Sequence, residues 1–452
     1  MKYFNRDETI CAVATGSSMS AIAVIRVSGP KAIKITDSIF SKNILNKKTH
    51  TIHFGNIIEN NKIIDEVLVS IFKEGKSYTG EETTEISCHG SVYITKKILE
   101  ILVNNGCRSA IAGEFTLRAF KNGKLDLSQA ESVADLIASE NKSAHQTAIN
   151  QLRGGFSNQL QNLRNQLIEF ASLVELELDF SEEDVEFADK KKFLSLLNKI
   201  KEELKKLINS FELGNAIKNG IPVAIIGAPN SGKSTLLNTL LNEDKAIVSE
   251  IEGTTRDVIE DNINIEGIQF RFIDTAGIRK TKNKIEKIGI DKALENAKKS
   301  NIILHIVDIK NNLIKQQEDF KKFKDKINGK IITVANKTDL IKMDTKEISD
   351  AIYISAKNKT GINDLKQKLI NSVSTSKYLS DDTIITNIRH FEELQLSLSE
   401  INTIIEGIKI NLTGDLLAVN IRQSLYHLGC ITGEITSENL LDNIFGKFCI
   451  GK

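Results

Sequence analysis

The chain has 452 residues, more than one hydrophobic core organises, and length alone predicts two to four domains. Its residues are 40% hydrophobic and 26% charged, as in folded globular proteins, and a formal net charge of +1 excludes a global field that would draw the molecule onto nucleic acid or an anionic membrane. Cys11, Cys88, Cys107, Cys430 and Cys449 are odd in number and lack Cys-x-x-Cys spacing, which argues against a disulfide framework or a zinc ribbon. Residues Met1 to Glu8 lack the apolar run of a signal peptide, and no apolar stretch reaches the ~20 residues that span a bilayer. The expectation is a cytoplasmic protein with no membrane partner.

From the first residue to about 120, short β-rich runs alternate with helical ones. Ile22–Val27 and Glu66–Phe72 read as strands, and Lys97–Val103 reads as helix. This predicts a small α+β domain. From about residue 125 the period becomes helical, through Leu127, Ala130, Val133 and Ile137, then Leu163, Leu167, Phe170 and Val174, then Leu197, Ile200, Leu204 and Leu207. At Ile221 it changes again. Five apolar runs, Ile221–Ile226, Ile268–Ile273, Ile302–Val307, Lys330–Val334 and Ala351–Ile354, mostly separated by helical segments, predict a parallel sheet covered by helices. Helical spacing returns with Leu394, Leu398, Ile401 and Ile405, then Leu417, Ile421, Leu425 and Leu428. The sheet domain therefore reads as inserted into a helical domain whose two halves pack together.

Gly227-Ala228-Pro229-Asn230-Ser231-Gly232-Lys233-Ser234 follows the first of those strands and opens a helix. That is the setting of a phosphate loop: backbone N–H groups turn around phosphate oxygens, Lys233 reaches the β- and γ-phosphates, and the Ser234 hydroxyl binds Mg²⁺. A plain strand–turn–helix is the bland alternative. Three further signals oppose it, each at the end of a strand: Asp274-Thr275-Ala276-Gly277, Asn336-Lys337-Thr338-Asp339 and Ser355-Ala356-Lys357. Asp274 can hold Mg²⁺ through water, and Gly277 N–H can sense the γ-phosphate. Asp339 can accept from guanine N1–H and the exocyclic amine, a donor pair that adenine lacks. Between the loop and Asp274 lies Gly253-Thr254-Thr255-Arg256-Asp257, placed like the first switch of small GTPases, with Thr255 the Mg²⁺ ligand. Ras-like enzymes follow their Asp-x-x-Gly with a glutamine that orients water; here Ile278 stands there, so another residue must position the water.

With these motifs, Tyr78-Thr79-Gly80-Glu81, Cys88-His89-Gly90, the run Phe115 to Leu127 and the final Phe448-Cys449-Ile450-Gly451-Lys452, the chain resembles the MnmE (TrmE) family of tRNA-modification GTPases over essentially its whole length. The resemblance implies a multidomain α/β and all-α fold. It has an N-terminal α+β tetrahydrofolate-binding and dimerisation domain at 1–121, a discontinuous helical domain at 122–219 and 375–452, and an inserted Ras-like P-loop GTPase domain at 220–374. It implies a homodimer working with the flavoprotein MnmG (GidA) to add an aminomethyl or carboxymethylaminomethyl group at C5 of the wobble uridine of certain tRNAs. The implied cofactors are GTP, Mg²⁺, K⁺ and 5,10-methylene- or 5-formyl-tetrahydrofolate.

The GTP-binding set is then Asn230, Ser231, Gly232, Lys233, Ser234, Thr235, Ser249, Thr254, Thr255, Asp274, Thr275, Ala276, Gly277, Asn336, Lys337, Asp339, Ser355, Ala356 and Lys357. The family pattern makes Asn230, Ser249, Ile251 and Thr254 ligands of K⁺, and Glu286 the residue that orients the attacking water. It assigns Arg26, Glu85, Lys124 and Lys452 to folate, and Cys449 to catalysis. The segment Ala14 to Ser20 lacks the proline and one glycine usual in that family. The runner-up is a ribosome-assembly GTPase of the Era type, which would carry an RNA-binding module after the GTPase domain, where this chain returns to helix. A scaffold GTPase is a third reading, which nothing before residue 120 requires.

Overall fold

The computed structural model describes residues 7–16, 18–179, 190–244, 261–273, 295–311, 316, 329–340, 350–373 and 383–451. In chain order its elements are β1 (Thr9–Val13), β2 (Ile22–Ser28), α1 (Ala32–Ile39), β3 (Thr51–Glu59), β4 (Lys62–Phe72), β5 (Thr83–His89), α2 (Val92–Asn104), β6 (Cys107–Ser109) and α3 (Glu114–Lys121). Helices α4 (Leu127–Ile137), α5 (Lys142–Leu152), α6 (Gly155–Asp179) and α7 (Lys190–Asn219) follow. Then come β7 (Ile221–Gly227), α8 (Lys233–Asp244), β8 (Asp261–Ile265), β9 (Ile268–Phe272), β10 (Ile302–Asp308), β11 (Lys330–Asn336), β12 (Ile352–Ile354) and α9 (Ile362–Ser372). The last are α10 (Ile388–Lys409), α11 (Gly414–Thr432) and α12 (Glu438–Phe445). They pack as two units, one drawn from Met1–Ile137, Asn150–Leu197 and Leu396–Lys452, the other from Ala138–Ile149 and Asn198–Gln395.

The first unit contains a six-stranded sheet of order β3-β4-β5-β2-β1-β6. Its pairs are antiparallel except β1–β6. Successive strand residues face opposite sides. Ala23, Ile25 and Val27 of β2 and Val67, Val69 and Ile71 of β4 are therefore buried on one side, in a core that includes residues of α1 and α2. Arg26 and its cross-strand partner Glu85 face the other side. There Ile10, Ala12, Ala110 and Phe115 form a smaller cluster with Tyr78. In the helical part of this unit α6 packs on α11: Arg164 donates to Leu425 O at 2.8 Å and pairs with Glu434. Helices before and after the inserted sheet are thus in contact within this unit.

The second unit holds a six-stranded sheet of order β12-β11-β10-β7-β9-β8. The five expected apolar runs are β7, β9, β10, β11 and β12, all parallel. The sheet is not purely parallel, however: β8 pairs antiparallel with β9 at the edge. Its sequence, Asp-Asn-Ile-Asn-Ile, alternates, so only Ile263 and Ile265 are buried and no continuous apolar run marks it. A two-residue turn, Glu266-Gly267, joins the pair, with φ of +51° and +86°. Positive φ at both central residues matches the twist of a tight hairpin.

One buried cation organises the first unit. Arg118 of α3 is 0% exposed. Its guanidinium donates to Glu81 at 3.0 Å, Glu114 at 3.1 Å and Glu8 O at 2.9 Å. Glu81 also accepts from Ser28 Oγ at 2.9 Å, joining a buried hydroxyl chain of Ser28, Thr79 and Thr83. The Tyr78–Glu81 loop is thereby fixed against both α3 and the sheet. Arg118→Ala leaves Glu81 without its counter-charge, while Glu114 keeps its pair with Arg108 at 2.6 Å, and a loss of about 3 kcal/mol is expected. Hydrogen exchange checks this: amide protection in β2 and β5 should fall, while that in β7 and β10 stays unchanged.

Candidate functional site

Strand β7 ends at Gly227 and α8 begins at Lys233, so the loop between them is held by a buried strand and a helix N-terminus. The loop has no room for side chains at its glycines. A Cβ on Gly227 would lie 2.3 Å from Ile306 O, and one on Gly232, at φ +97°, 2.2 Å from Asn336 Nδ2. Asn230 sits exposed at φ +62°, in the left-handed region that Asn tolerates. Lys233 Nζ donates to Gly227 O at 2.8 Å and Ala228 O at 2.9 Å, folding back across the loop. Burial pushes the Lys233 ammonium below the usual lysine range, a cost that a bound phosphate offsets. Ser231 is fully buried, and its hydroxyl has no hydrogen-bond partner among the described residues.

The guanine side is built from the ends of the next parallel strands. Asn336, the last residue of β11, is 2% exposed. Its Nδ2 donates to Ser231 O at 2.9 Å, and its Oδ1 accepts from Lys337 N at 2.8 Å and Ala356 N at 3.1 Å. One amide therefore joins the phosphate loop to the loop after β12. Lys337, at φ +75°, pairs through Nζ with the buried Asp308 at 2.6 Å. Asp339 is exposed, and Ser355 Oγ donates to its Oδ1 at 2.6 Å. That hydrogen bond, with smaller help from Lys357 and Lys310, holds the Asp339 carboxyl below its ordinary range, so it is an acceptor at neutral pH. Thr239 of α8 donates to Ala356 O at 2.9 Å, tying the helix that follows the phosphate loop to the loop after β12.

Of the sequence-derived nucleotide set, Asn230, Ser231, Gly232, Lys233, Ser234 and Thr235 lie in the phosphate loop and the start of α8, and Asn336, Lys337, Asp339, Ser355, Ala356 and Lys357 in the loops after β11 and β12. All occupy the carboxyl edge of one sheet. Ser249, Ile251, Thr254, Thr255, Asp274, Thr275, Ala276, Gly277, Ile278, Glu286 and Lys452 lie outside the described residues. Asp308 and Thr239 were not anticipated. An aspartate one residue beyond the apolar run of β10 is a signal that could have found the first; Thr239 carries none.

In the N-terminal sheet, Arg26 and Glu85 are directly paired, with Nε to Oε1 at 2.9 Å. The second guanidinium contact, at 2.8 Å, also falls on Oε1, which leaves Oε2 for a ligand N–H. Tyr78 and Phe115 each place a ring 5.5 Å from the Arg26 guanidinium. Arg26 also reaches Gly451 O at 3.5 Å. Gly451, at φ +98°, lies so close to Val13 O that a Cβ would stand 2.3 Å from it. A flat, polar heterocycle with N–H donors suits this cluster. Lys124 is not joined to it by a direct contact: its Nζ donates to Gly75 O at 2.7 Å, beside an open cleft of about 520 Å³ between loops 74–80 and 121–124. Cys449 is exposed.

A phosphate loop, an Asn-Lys-x-Asp loop and a Ser-Ala-Lys loop tied together on one mixed sheet define a P-loop GTPase. Residues 127–449 match the family model described as the MnmE helical domain, and residues 9–124 match that of the GTP-binding protein TrmE N-terminus. The tRNA modification GTPase MnmE of Christiangramia forsetii is 52% identical over 99% of this chain and 99% of the relative. Those of Flavobacterium psychrophilum and Cytophaga hutchinsonii are 53% and 51% identical, over 98% and 99% of this chain and 99% and 98% of the relatives. The chain belongs to the MnmE family of tRNA modification GTPases. The Era-type alternative is not favoured. No described helix is long and apolar enough to cross a membrane.

Two measurements check the nucleotide site. Asn336→Ala removes the loop-to-loop amide and should weaken GTP and GDP alike by about 30-fold, the equivalent of about 2 kcal/mol for two buried hydrogen bonds, in a fluorescent-nucleotide titration. Ser355→Ala lets the Asp339 pKa rise toward its ordinary value. Because the lowered pKa preserves binding until the pH falls through it, the acid limb of GDP binding should move to higher pH in this variant.

Proposed function

We propose that the chain hydrolyses GTP and uses that cycle to drive modification at C5 of the wobble uridine of tRNA, adding an aminomethyl or carboxymethylaminomethyl group. It acts as a cytoplasmic homodimer with a flavoprotein of the MnmG type. The observation that carries the reading is the Asn336 bridge between the phosphate loop and the guanine loop, in a chain about half identical to tRNA modification GTPases along its length. The working division is 1–121 for folate binding and dimerisation, 122–219 and 375–452 for the helical domain, and 220–374 for the GTPase domain.

In this proposal Lys233 and the loop amides hold the phosphates, and Asp339 selects guanine. Ser234 and Thr255 are the Mg²⁺ ligands. Asn230, Ser249, Ile251 and Thr254 would hold K⁺, which supplies positive charge beside the phosphates where other GTPases use an arginine. The exposed, left-handed Asn230 at the rim of the loop is compatible with that role. Glu286 orients the attacking water in place of the glutamine that Ile278 replaces. Arg26, Glu85, Lys124 and Lys452 bind 5,10-methylene- or 5-formyl-tetrahydrofolate: Glu85, held by Arg26, accepts from pterin N–H groups, and Lys124 and Lys452 meet the glutamate tail. Bound folate would supply the one-carbon unit, and the family pattern assigns Cys449 to that chemistry.

Hydrolysis should run faster in K⁺ than in Na⁺, and Asn230→Ala should abolish the difference; equal rates in both salts for the unaltered protein overturn the cation site. Glu286→Ala should stop turnover while GTP still binds. The function itself is tested by nucleoside mass spectrometry of tRNA from cells lacking the chain, where the wobble uridine should be unmodified.

A further inference from the structure

Lysines crowd one end of the N-terminal sheet. Lys47 and Lys48 precede β3, Lys73 and Lys76 follow β4, and Lys121 and Lys124 close α3, and all six are exposed. Glu74 and Glu82 are the only carboxylates on these segments with exposed or half-exposed positions beyond the Arg118 network. Lys47, Lys48, Lys73, Lys76 and Lys121 make no ion pair among the described residues.

The three segments are not independent tails. His50 N donates to Ile71 O at 2.7 Å, and Lys73 N to Thr49 Oγ1 at 3.2 Å, fastening the first loop to the second. Lys124 Nζ reaches Gly75 O, and Asn122 Nδ2 donates to Thr79 O at 2.8 Å, fastening the second to the third. The positive charge is thus held in one place on a chain whose net charge is only +1.

We propose that this lysine rim is the surface on which the phosphodiester backbone of the tRNA docks, an inference that rests on the tRNA-modification reading above. Lysine ammonium groups are mobile point charges, suited to phosphates at varied spacing and indifferent to sequence. An enzyme acting on one nucleotide of a folded RNA needs such a sequence-independent hold beside its reactive site. The rim borders the cleft at Lys124, next to the loop that carries Tyr78. The lysines extend from the start of β3 to the end of α3, across three separate loops, which favours an extended polyanion over a single carboxylate.

The test is binding of a fluorescein-labelled, unmodified tRNA transcript to the full chain across a salt series. It compares the natural protein with the Lys47→Gln/Lys48→Gln/Lys73→Gln/Lys76→Gln variant. The variant should bind at least tenfold more weakly near physiological salt, and the slope of log affinity against log salt should shrink by about 3. The corresponding Lys→Arg variant should bind as the natural protein does, and GTP hydrolysis should be unchanged in both. Unaltered affinity and slope in the Gln variant overturn the docking surface while leaving the modification reading intact. Natural protein that binds no tRNA overturns both. If the Gln variant keeps tRNA binding but loses preference for pentaglutamyl over monoglutamyl tetrahydrofolate, the rim serves the folate tail and the proposal is wrong.

Discussion

The side-chain amide of Asn336 is the interaction on which the nucleotide site depends. It uses one donor and both acceptor directions, toward Ser231 O, Lys337 N and Ala356 N. Lys337 follows Asn336 directly, but Ser231 lies 105 residues and Ala356 20 residues away, and their loops meet at the carboxyl edge of one sheet. Strand register brings them within reach: Asn336 stands opposite Asp308 on one side and Ile354 on the other. The absence of a Cβ at Gly232 then lets the amide approach the phosphate loop. The same region that grips phosphate is therefore mechanically joined to the region that reads the base.

The N-terminal sheet follows a parallel logic with charge in place of an amide. Arg118 is buried among carboxylates that a low-dielectric interior would not tolerate alone. By holding Glu81 it fixes the loop carrying Tyr78, and Tyr78 in turn lies against Arg26. Burial raises the Tyr78 phenol pKa, and its hydroxyl is hydrogen-bonded to Thr116 at 2.9 Å, so the ring keeps a neutral face toward the guanidinium. A polar pair at the surface of a sheet thus acquires a defined orientation from an ion network that does not itself face the cleft.

Much of the architecture was legible because it is periodic. Apolar runs marked β7, β9, β10, β11 and β12, and helical spacing marked α4, α6, α7, α10 and α11. Strand β8 was not legible, because an edge strand that buries one face shows a short alternation in place of an apolar run. The phosphate and guanine loops were legible because each chemistry needs particular residue types at fixed spacing beside a strand end.

The sequence by itself determined that a guanine nucleotide is bound, through the phosphate loop and Asp339, and its family pattern assigned Arg26 and Glu85 to a second ligand. Only the tertiary structure decided how those residues are held. The Asn336 bridge, the Lys337–Asp308 pair, the Arg118 network and the convergence of three lysine-bearing loops all join residues distant along the chain. Such contacts leave no period and no motif, since hydrogen bonds and ion pairs depend on distance in space, and that distance is set by strand order and register.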